Sequence, residues 1–132
     1  MRRVGSMVAV VVLLLVLAAG TALAAAFYGT AGPDTINGTS SADEIRGRGG
    51  NDTLNGRGGN DAVHGGTGAD AISGGAGRDT IHGGRGNDNI NPRDDMSRDY
   101  VYCGPGYDVY NAEPQPGAPQ DFIADDCEMG AL

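Results

Sequence analysis

Aspartate recurs at a constant interval of nine residues through the middle of this chain. The interval is kept by seven consecutive aspartates: Asp34, Asp43, Asp52, Asp61, Asp70, Asp79 and Asp88. Two residues after each of them stands the one large apolar residue of the unit: Ile36, Ile45, Leu54, Val63, Ile72, Ile81 and Ile90. A D-x-U-x segment, where U is apolar, is too short for a helix, and it suits a short strand with one side chain facing inward.

The glycines of the repeat, which runs from Gly29 to Asn91, also keep fixed places. Residues 65–73, 74–82 and 83–91 read G-G-x-G-x-D-x-U-x without exception. Glycine adopts positive φ at little steric cost, so the glycine-rich half of each unit predicts a tight turn. Strand and turn therefore alternate every nine residues.

This nonapeptide resembles the calcium-binding repeat of the repeats-in-toxin (RTX) family. The resemblance implies an all-β fold, a right-handed parallel β-roll in which two units complete one coil and two sheets face each other across a thin core. In such a roll the apolar residues stack in two columns, Ile36, Leu54, Ile72 and Ile90 in one sheet and Ile45, Val63 and Ile81 in the other. The aspartates stack along two edges, Asp34, Asp52, Asp70 and Asp88 on one and Asp43, Asp61 and Asp79 on the other.

Stacked carboxylates need a cation between them. Residues of adjacent coils lie about 4.8 Å apart, and like charges at that distance disfavour each other's ionised state. The chain has no lysine, and its few arginines are too scattered to serve each pair. Ca²⁺ binds carboxylate and carbonyl oxygens in flexible geometry, whereas Mg²⁺ keeps its waters in a near-octahedral shell. We expect several Ca²⁺ ions, about five in the regular array, bound by the seven aspartates and by turn carbonyls of Gly66, Gly68, Gly75, Gly77, Gly84 and Gly86.

Some units depart from the full pattern. Residues 38–46 lack the second and third glycines, and the next two units carry Arg48 and Arg57 in the second place. The sequence therefore does not decide whether the N-terminal units form complete calcium sites. After Asn91 the period slips by two residues and then resumes in two degenerate units, marked by Asp99 with Val101 and by Asp108 with Tyr110.

Residues 1–26 have the layout of a secretory signal peptide. Arg2 and Arg3 precede an apolar run from Met7 to Ala19, and small residues follow from Thr21 to Ala26. An uncleaved membrane anchor is the alternative. Cleavage would leave seven basic against 17 acidic residues, a net charge of −10. Such a chain repels nucleic acid and anionic membranes and attracts cations.

The sequence thus predicts three segments: the signal peptide, a β-roll over residues 27–111, and a proline-rich tail over residues 112–132. An exported chain with two cysteines favours a Cys103–Cys127 disulfide, which would tie the tail to the roll as an irregular cap. His64 and His82 fall one coil apart on an outer sheet face. Two interpretations are a transition-metal site and solvated surface residues, and the second has the better support.

We expect a secreted calcium-binding protein in which ion binding and folding are coupled. Catalysis is not expected, because the chain lacks a P-loop lysine, a G-x-G-x-x-G motif and a plausible nucleophile–base pair. A structural or adhesive module that uses calcium for rigidity and binds a cell-surface or matrix partner is the alternative. A repeat domain separated from a larger exported enzyme or toxin is a further one, which the leader and the closed C-terminal end disfavour.

Overall fold

Short β-strands alternate with turns, without any helix, in the residues that this computed structural model describes, namely 11–14, 24–92, 97–111 and 121–129. One inward-facing residue per unit limits most of these strands to between two and six residues. In chain order they are β1 (Val11–Leu14), β2 (Ala25–Tyr28), β3 (Thr35–Asn37), β4 (Glu44–Arg48), β5 (Thr53–Asn55), β6 (Ala62–Thr67), β7 (Ala71–Ser73), β8 (Thr80–Arg85), β9 (Asn89–Asn91), β10 (Tyr100–Tyr102), β11 (Val109–Tyr110), β12 (Phe122–Ile123) and β13 (Glu128–Met129).

From β2 onward, successive strands enter opposite sheets. Within the described residues the first sheet has the order β1-β2-β4-β6-β8-β10-β12, and the second has the order β13-β11-β9-β7-β5-β3. All neighbouring strands are parallel except β1, which runs antiparallel to β2. Two nine-residue units therefore make one coil, and the expected parallel two-sheet roll is confirmed.

The core between the sheets is one apolar side chain thick on each side. Ile36 pairs with Leu54 and Ile45 with Val63, so residues 18 apart in sequence are neighbours in space. The predicted columns are confirmed, since every repeat residue in them is at most 2% exposed. Phe27 extends the first-sheet column, because it pairs with Ile45 and is buried.

The two-residue insertion after Asn91 falls between β9 and β10 and leaves both columns intact. Val101 pairs with Ile81, and Tyr110 pairs with Ile90, each across 20 residues rather than 18. The two degenerate units therefore add a further coil to the roll. Val101 is fully buried, as the inward place of its strand requires.

The end of the chain is more regular than its sequence suggests. β12 extends the first sheet by pairing with β10, and β13 extends the second by pairing with β11. The predicted disulfide is confirmed, with the Cα atoms of Cys103 and Cys127 5.2 Å apart. The tail, as far as it is described, is thus a last short coil fastened to the one before it.

Most of the predicted signal peptide lies outside the described residues, so the leader stays a prediction. Its residues 11–14 form β1, and Ala25 and Ala26 belong to β2. Ala25 is buried in the core. No described helix is long and apolar enough to cross a membrane.

Removing the disulfide should weaken the roll without changing its topology. We expect the double variant Cys103→Ala/Cys127→Ala to lose about 3 kcal/mol of unfolding free energy in the chain-entropy account, because the bond closes a loop with a sequence separation of 24. Urea unfolding followed by circular dichroism measures the loss. Dithiothreitol should lower the stability of the wild type to a similar degree and leave that of the double variant unchanged. Equal unfolding free energies of the oxidised wild type and the double variant would contradict the expectation.

Candidate metal sites

The aspartates of the repeat are buried, although carboxylates rarely are. Each stands two residues before an inward apolar residue, so its side chain faces the same side of the strand. None of the repeat aspartates is more than 4% exposed. They form two columns, one along each edge of the roll: Asp34, Asp52, Asp70, Asp88 and Asp108 before the strands of the second sheet, and Asp43, Asp61, Asp79 and Asp99 before those of the first.

In the column aspartates after Asp34, one carboxylate oxygen accepts a backbone N–H of the preceding coil. The Asp34 N–H donates to Asp52 Oδ1 at 2.8 Å, and the Asp52 N–H donates to Asp70 Oδ1 at 2.9 Å. The same bond repeats along both columns and across the insertion, as far as Asp99 and Asp108. The stacking that the sequence predicted is therefore present, and it is held by backbone N–H groups.

In five of the column aspartates the second oxygen faces no donor among the described residues. Among the described residues, Oδ2 is buried and accepts no hydrogen bond in Asp52, Asp61, Asp70, Asp88 and Asp108. In Asp52, Asp61, Asp70 and Asp88 this oxygen lies beside the first glycine of its own unit and a carbonyl of the next coil. A Cβ built on Gly83 would stand 2.6 Å from Asp88 Oδ2 and 2.7 Å from the Cys103 carbonyl oxygen.

A cluster of oxygens without a donor fits a hard cation. An unpaired buried carboxylate is costly, and a negative oxygen beside a carbonyl oxygen is the ligand type that Ca²⁺ prefers. Glycine is required in the first place of the units that begin at Gly47, Gly56, Gly65 and Gly83, since any side chain there would fill the space between these oxygens. The residues present therefore fit a calcium ion, which would neutralise the aspartate columns when bound.

The six predicted turn glycines lie along the same edges. All of them have positive φ, between 89° and 119°. Each sits directly over a carbonyl of the preceding coil: Gly84 covers the oxygen of Gly66, and Gly86 covers that of Gly68. Turn carbonyls therefore stack from coil to coil next to the aspartates, in the place where the sequence predicts further ligands.

Arginine in the second place leaves the turn unchanged. Arg48 and Arg57 have φ of 78° and 73°, in the left-handed region that the glycines of that place also adopt. Their carbonyls lie under Gly66 and Gly75, as glycine carbonyls do elsewhere. The conformation costs a non-glycine residue about 1 kcal/mol or more, so the surrounding coils must enforce it.

The first two units differ from the rest. Oδ2 of Asp34 accepts hydrogen bonds from Thr30, and Oδ2 of Asp43 accepts them from Thr39. The two aspartates stand in the columns as predicted, yet their second oxygen already has protein donors.

The aspartate columns raise the pKa values of their members. Burial raises the pKa of Asp61 to about 7 and those of Asp52, Asp70 and Asp88 to about 6, from an ordinary value of 3.8. The backbone N–H bonds lower these pKa values in part, and the negative charge of the aspartate one coil earlier raises them again. The pKa of Asp108 is also raised, by burial first. The protein thus disfavours the ionised carboxylates unless a positive charge joins them.

Sequence reasoning missed one member of the first-sheet column. The Asp99 N–H donates to Asp121 Oδ1 at 2.9 Å, so Asp121 continues the column into the tail. The signal was present as D-x-U-x in residues 121–124, but it lies outside the nine-residue phase.

Two other clusters make poor metal sites. Cys103, Asp126 and Cys127 lie close together, but the sulfurs are joined as a disulfide and the Asp126 carboxylate accepts the Gly104 N–H at 2.9 Å. The rings of His64 and His82 are stacked 4.8 Å apart with 3° between their planes. Lone pairs of parallel rings do not converge on one ion, which favours the surface interpretation of the histidines.

Two parallel sheets with aspartate columns and stacked turn carbonyls define a β-solenoid suited to hard cations. A scan against protein-family models matches residues 28–63 and 64–93 to the RTX calcium-binding nonapeptide repeat (4 copies). The chain belongs to the RTX repeat family, and these repeats imply calcium binding. Searches of curated proteins and of solved structures gave no match.

In the absence of calcium, acid should promote folding. The pKa values of about 6 and about 7 in the folded state lie above the ordinary 3.8, so the folded chain binds more protons. Without calcium, the stability that these carboxylates contribute is therefore greatest below about pH 4 and is lost as the pH rises through about 7. We expect the β-sheet circular dichroism signal in EDTA to grow on acidification, and to grow over a narrower range in Asp61→Asn. The titration is carried out at two protein concentrations. A signal that weakens on acidification at both of them would contradict this expectation.

Proposed function

We propose that this chain is a secreted calcium-binding protein whose repeat region folds as it binds several Ca²⁺ ions. The observation that carries the proposal is the set of buried Oδ2 atoms without a hydrogen bond in the described residues, on Asp52, Asp61, Asp70, Asp88 and Asp108. The ligands would be the column aspartates from Asp52 onward together with carbonyls of the turn glycines, Gly66, Gly68, Gly75, Gly77, Gly84 and Gly86.

Electrostatics supports the coupling of binding to folding. Closing the roll buries carboxylates whose pKa values rise to about 6 or 7, so at neutral pH the folded chain pays an ionisation penalty that the unfolded chain avoids. A divalent cation offsets that penalty in the folded state, where the oxygens are already gathered. Binding to the folded state alone stabilises it by mass action.

The thin core also supports the coupling of ion binding to folding. Each of the seven regular units buries a single large apolar side chain, and six of them contain two or three glycines, which lose more backbone freedom on folding than other residues. Parallel strands of three residues, such as β3 and β5, add few hydrogen bonds each. The ion is therefore a main source of stability, as in small metal-dependent domains.

Secretion is supported by the disulfide and by the leader pattern. Disulfides persist in oxidising compartments and are rare in the cytosol, and Cys103 is joined to Cys127. N-terminal sequencing of the protein recovered from culture medium would locate the cleavage. A start at Ala25 would retain the buried β2 residues Ala25 and Phe27.

An adhesive module is the second candidate function. Tyr107 is 66% exposed and Phe122 is 48% exposed, and Tyr102 lies near Phe122 on the same sheet. Exposed aromatic side chains are common in binding surfaces. Calcium-dependent attachment to a cell surface that is lost in Tyr107→Ala and Phe122→Ala, with ion binding intact, would favour this function.

The proposed coupling is tested by titrating residues 25–132 with calcium from an EDTA-treated start. We expect a disordered far-ultraviolet spectrum in EDTA, a cooperative change to β structure with Ca²⁺, and no such change with equal Mg²⁺. Asp70→Asn keeps the Oδ1 acceptor but loses the charge, so it should need more calcium for folding.

The matched control for that variant is Asp125→Asn, which changes an exposed aspartate outside both columns. It should fold at the wild-type calcium concentration. A β-rich spectrum in EDTA that calcium does not alter would contradict the proposal, as would equal calcium requirements of Asp70→Asn and Asp125→Asn.

A further inference from the structure

The residue in the second place divides the seven regular units of the repeat into two kinds. In the first two units, residues 29–37 and 38–46, this place is held by Thr30 and Thr39. In the third to seventh units it is held by arginine or glycine with positive φ, as in Arg48, Arg57 and Gly84. Neither threonine has positive φ, which agrees with the strong disfavour of β-branched residues in that region.

The threonine turn directs two donors at the aspartate of its own unit. The Thr30 N–H donates to Asp34 Oδ2 at 2.5 Å, and Thr30 Oγ1 lies 3.0 Å from the same oxygen. The Thr39 N–H donates to Asp43 Oδ2 at 2.6 Å, and Thr39 Oγ1 lies 2.9 Å from it.

The hydroxyls are themselves held in place by the turn. Thr30 Oγ1 accepts the Gly32 N–H at 3.1 Å, and Thr39 Oγ1 accepts the Ser41 N–H at 3.1 Å. Such a bond from a backbone N–H two residues further on is typical of turns that begin with threonine. Thr30 Oγ1 lies 3.0 Å from Asp34 Oδ2 and 3.4 Å from the Gly32 carbonyl oxygen, so the carboxylate is the nearer acceptor of the hydroxyl hydrogen.

In the later units the second-place N–H serves other acceptors. The Arg57 N–H donates to Asn55 Oδ1, and the Gly84 N–H donates to the Cys103 carbonyl, both at 3.0 Å. The corresponding oxygens, Asp61 Oδ2 and Asp88 Oδ2, are buried and accept no hydrogen bond within the described residues. The turn with positive φ therefore leaves the oxygen to an ion, whereas the threonine turn satisfies it.

The oxygen cluster itself is complete in the first unit. A Cβ built on Gly29 would lie 2.7 Å from Asp34 Oδ2 and 2.5 Å from the Gly47 carbonyl oxygen. These are the same two kinds of oxygen that meet beside Gly83 in the seventh unit. What distinguishes the first unit is the threonine donors and not the lack of ligands.

We propose that Thr30 and Thr39 take the place of calcium at Asp34 and Asp43, so that the first coil closes through hydrogen bonds and the calcium sites begin at Asp52. This inference rests on the proposed function and narrows it. It removes Asp34 Oδ2 and Asp43 Oδ2 from the ligands that the sequence predicted. The first coil then needs no ion for its own aspartates, and the Asp34 N–H joins it to Asp52 of the first ion-dependent coil.

The sharpest test is Thr30→Gly in residues 25–132, because the first unit then reads G-G-A-G-P-D-T-I-N, the full repeat pattern. The change removes the hydroxyl and permits positive φ. We expect isothermal titration calorimetry to count about one more Ca²⁺ per chain than in the wild type. Thr35→Gly is the matched control, because Thr35 is exposed on β3 in the same unit, and it should keep the wild-type count.

A second pair of variants keeps the inference testable if Thr30→Gly does not fold. Thr30→Val keeps the β-branch and loses the hydroxyl, whereas Thr30→Ser keeps the hydroxyl. At saturating calcium we expect urea to unfold Thr30→Val at a lower concentration than Thr30→Ser, because Asp34 loses a buried donor.

The outcomes separate the two hypotheses. An unchanged ion count in folded Thr30→Gly, or equal urea midpoints of Thr30→Val and Thr30→Ser, overturns the role of threonine while a calcium-binding wild type keeps the proposed function. A wild type that binds no calcium overturns the proposed function and this inference together.

Discussion

The whole structure depends on the different surroundings of the two carboxylate oxygens in the column aspartates. From Asp52 onward, Oδ1 accepts the backbone N–H of the aspartate one coil earlier, which fixes the height of each coil on the next. Oδ2 is thereby held inside the edge of the roll, next to a glycine and a carbonyl, where water cannot solvate it well. The same bond that stacks the coils creates the need for a cation.

Glycine and the thin core follow from that arrangement. The coils stack so closely that a Cβ on Gly66 or Gly84 would collide with the carbonyl of the coil beneath. A chain that must place glycine at such positions has few places left for apolar residues, so its core holds one large side chain per unit. The Cys103–Cys127 disulfide adds stability that this thin core does not supply, and in the proposed function bound cations add more.

Much of the fold could be predicted because the period fixes the neighbours. Once two units make a coil, Ile36 must meet Leu54 and Asp34 must meet Asp52. The last coil was not predicted, since Asp121 lies beyond a long insertion that breaks the phase. The threonine donors were also missed, because a repeat pattern treats Thr30 as a lost glycine and does not show that its N–H turns toward Asp34.

The sequence alone determined the period, the two apolar columns, the aspartate columns and the disulfide partners, because each follows from counting residues. Only the tertiary structure decided which carboxylate oxygen binds backbone, which is left buried without a donor among the described residues, and which accepts hydrogen bonds from a threonine. Those choices depend on φ at single turn residues such as Thr30 and Arg57 and on the approach of one coil to the next. The spacing along the chain sets which residues are neighbours, whereas the backbone conformation at each turn sets which of their atoms are in contact.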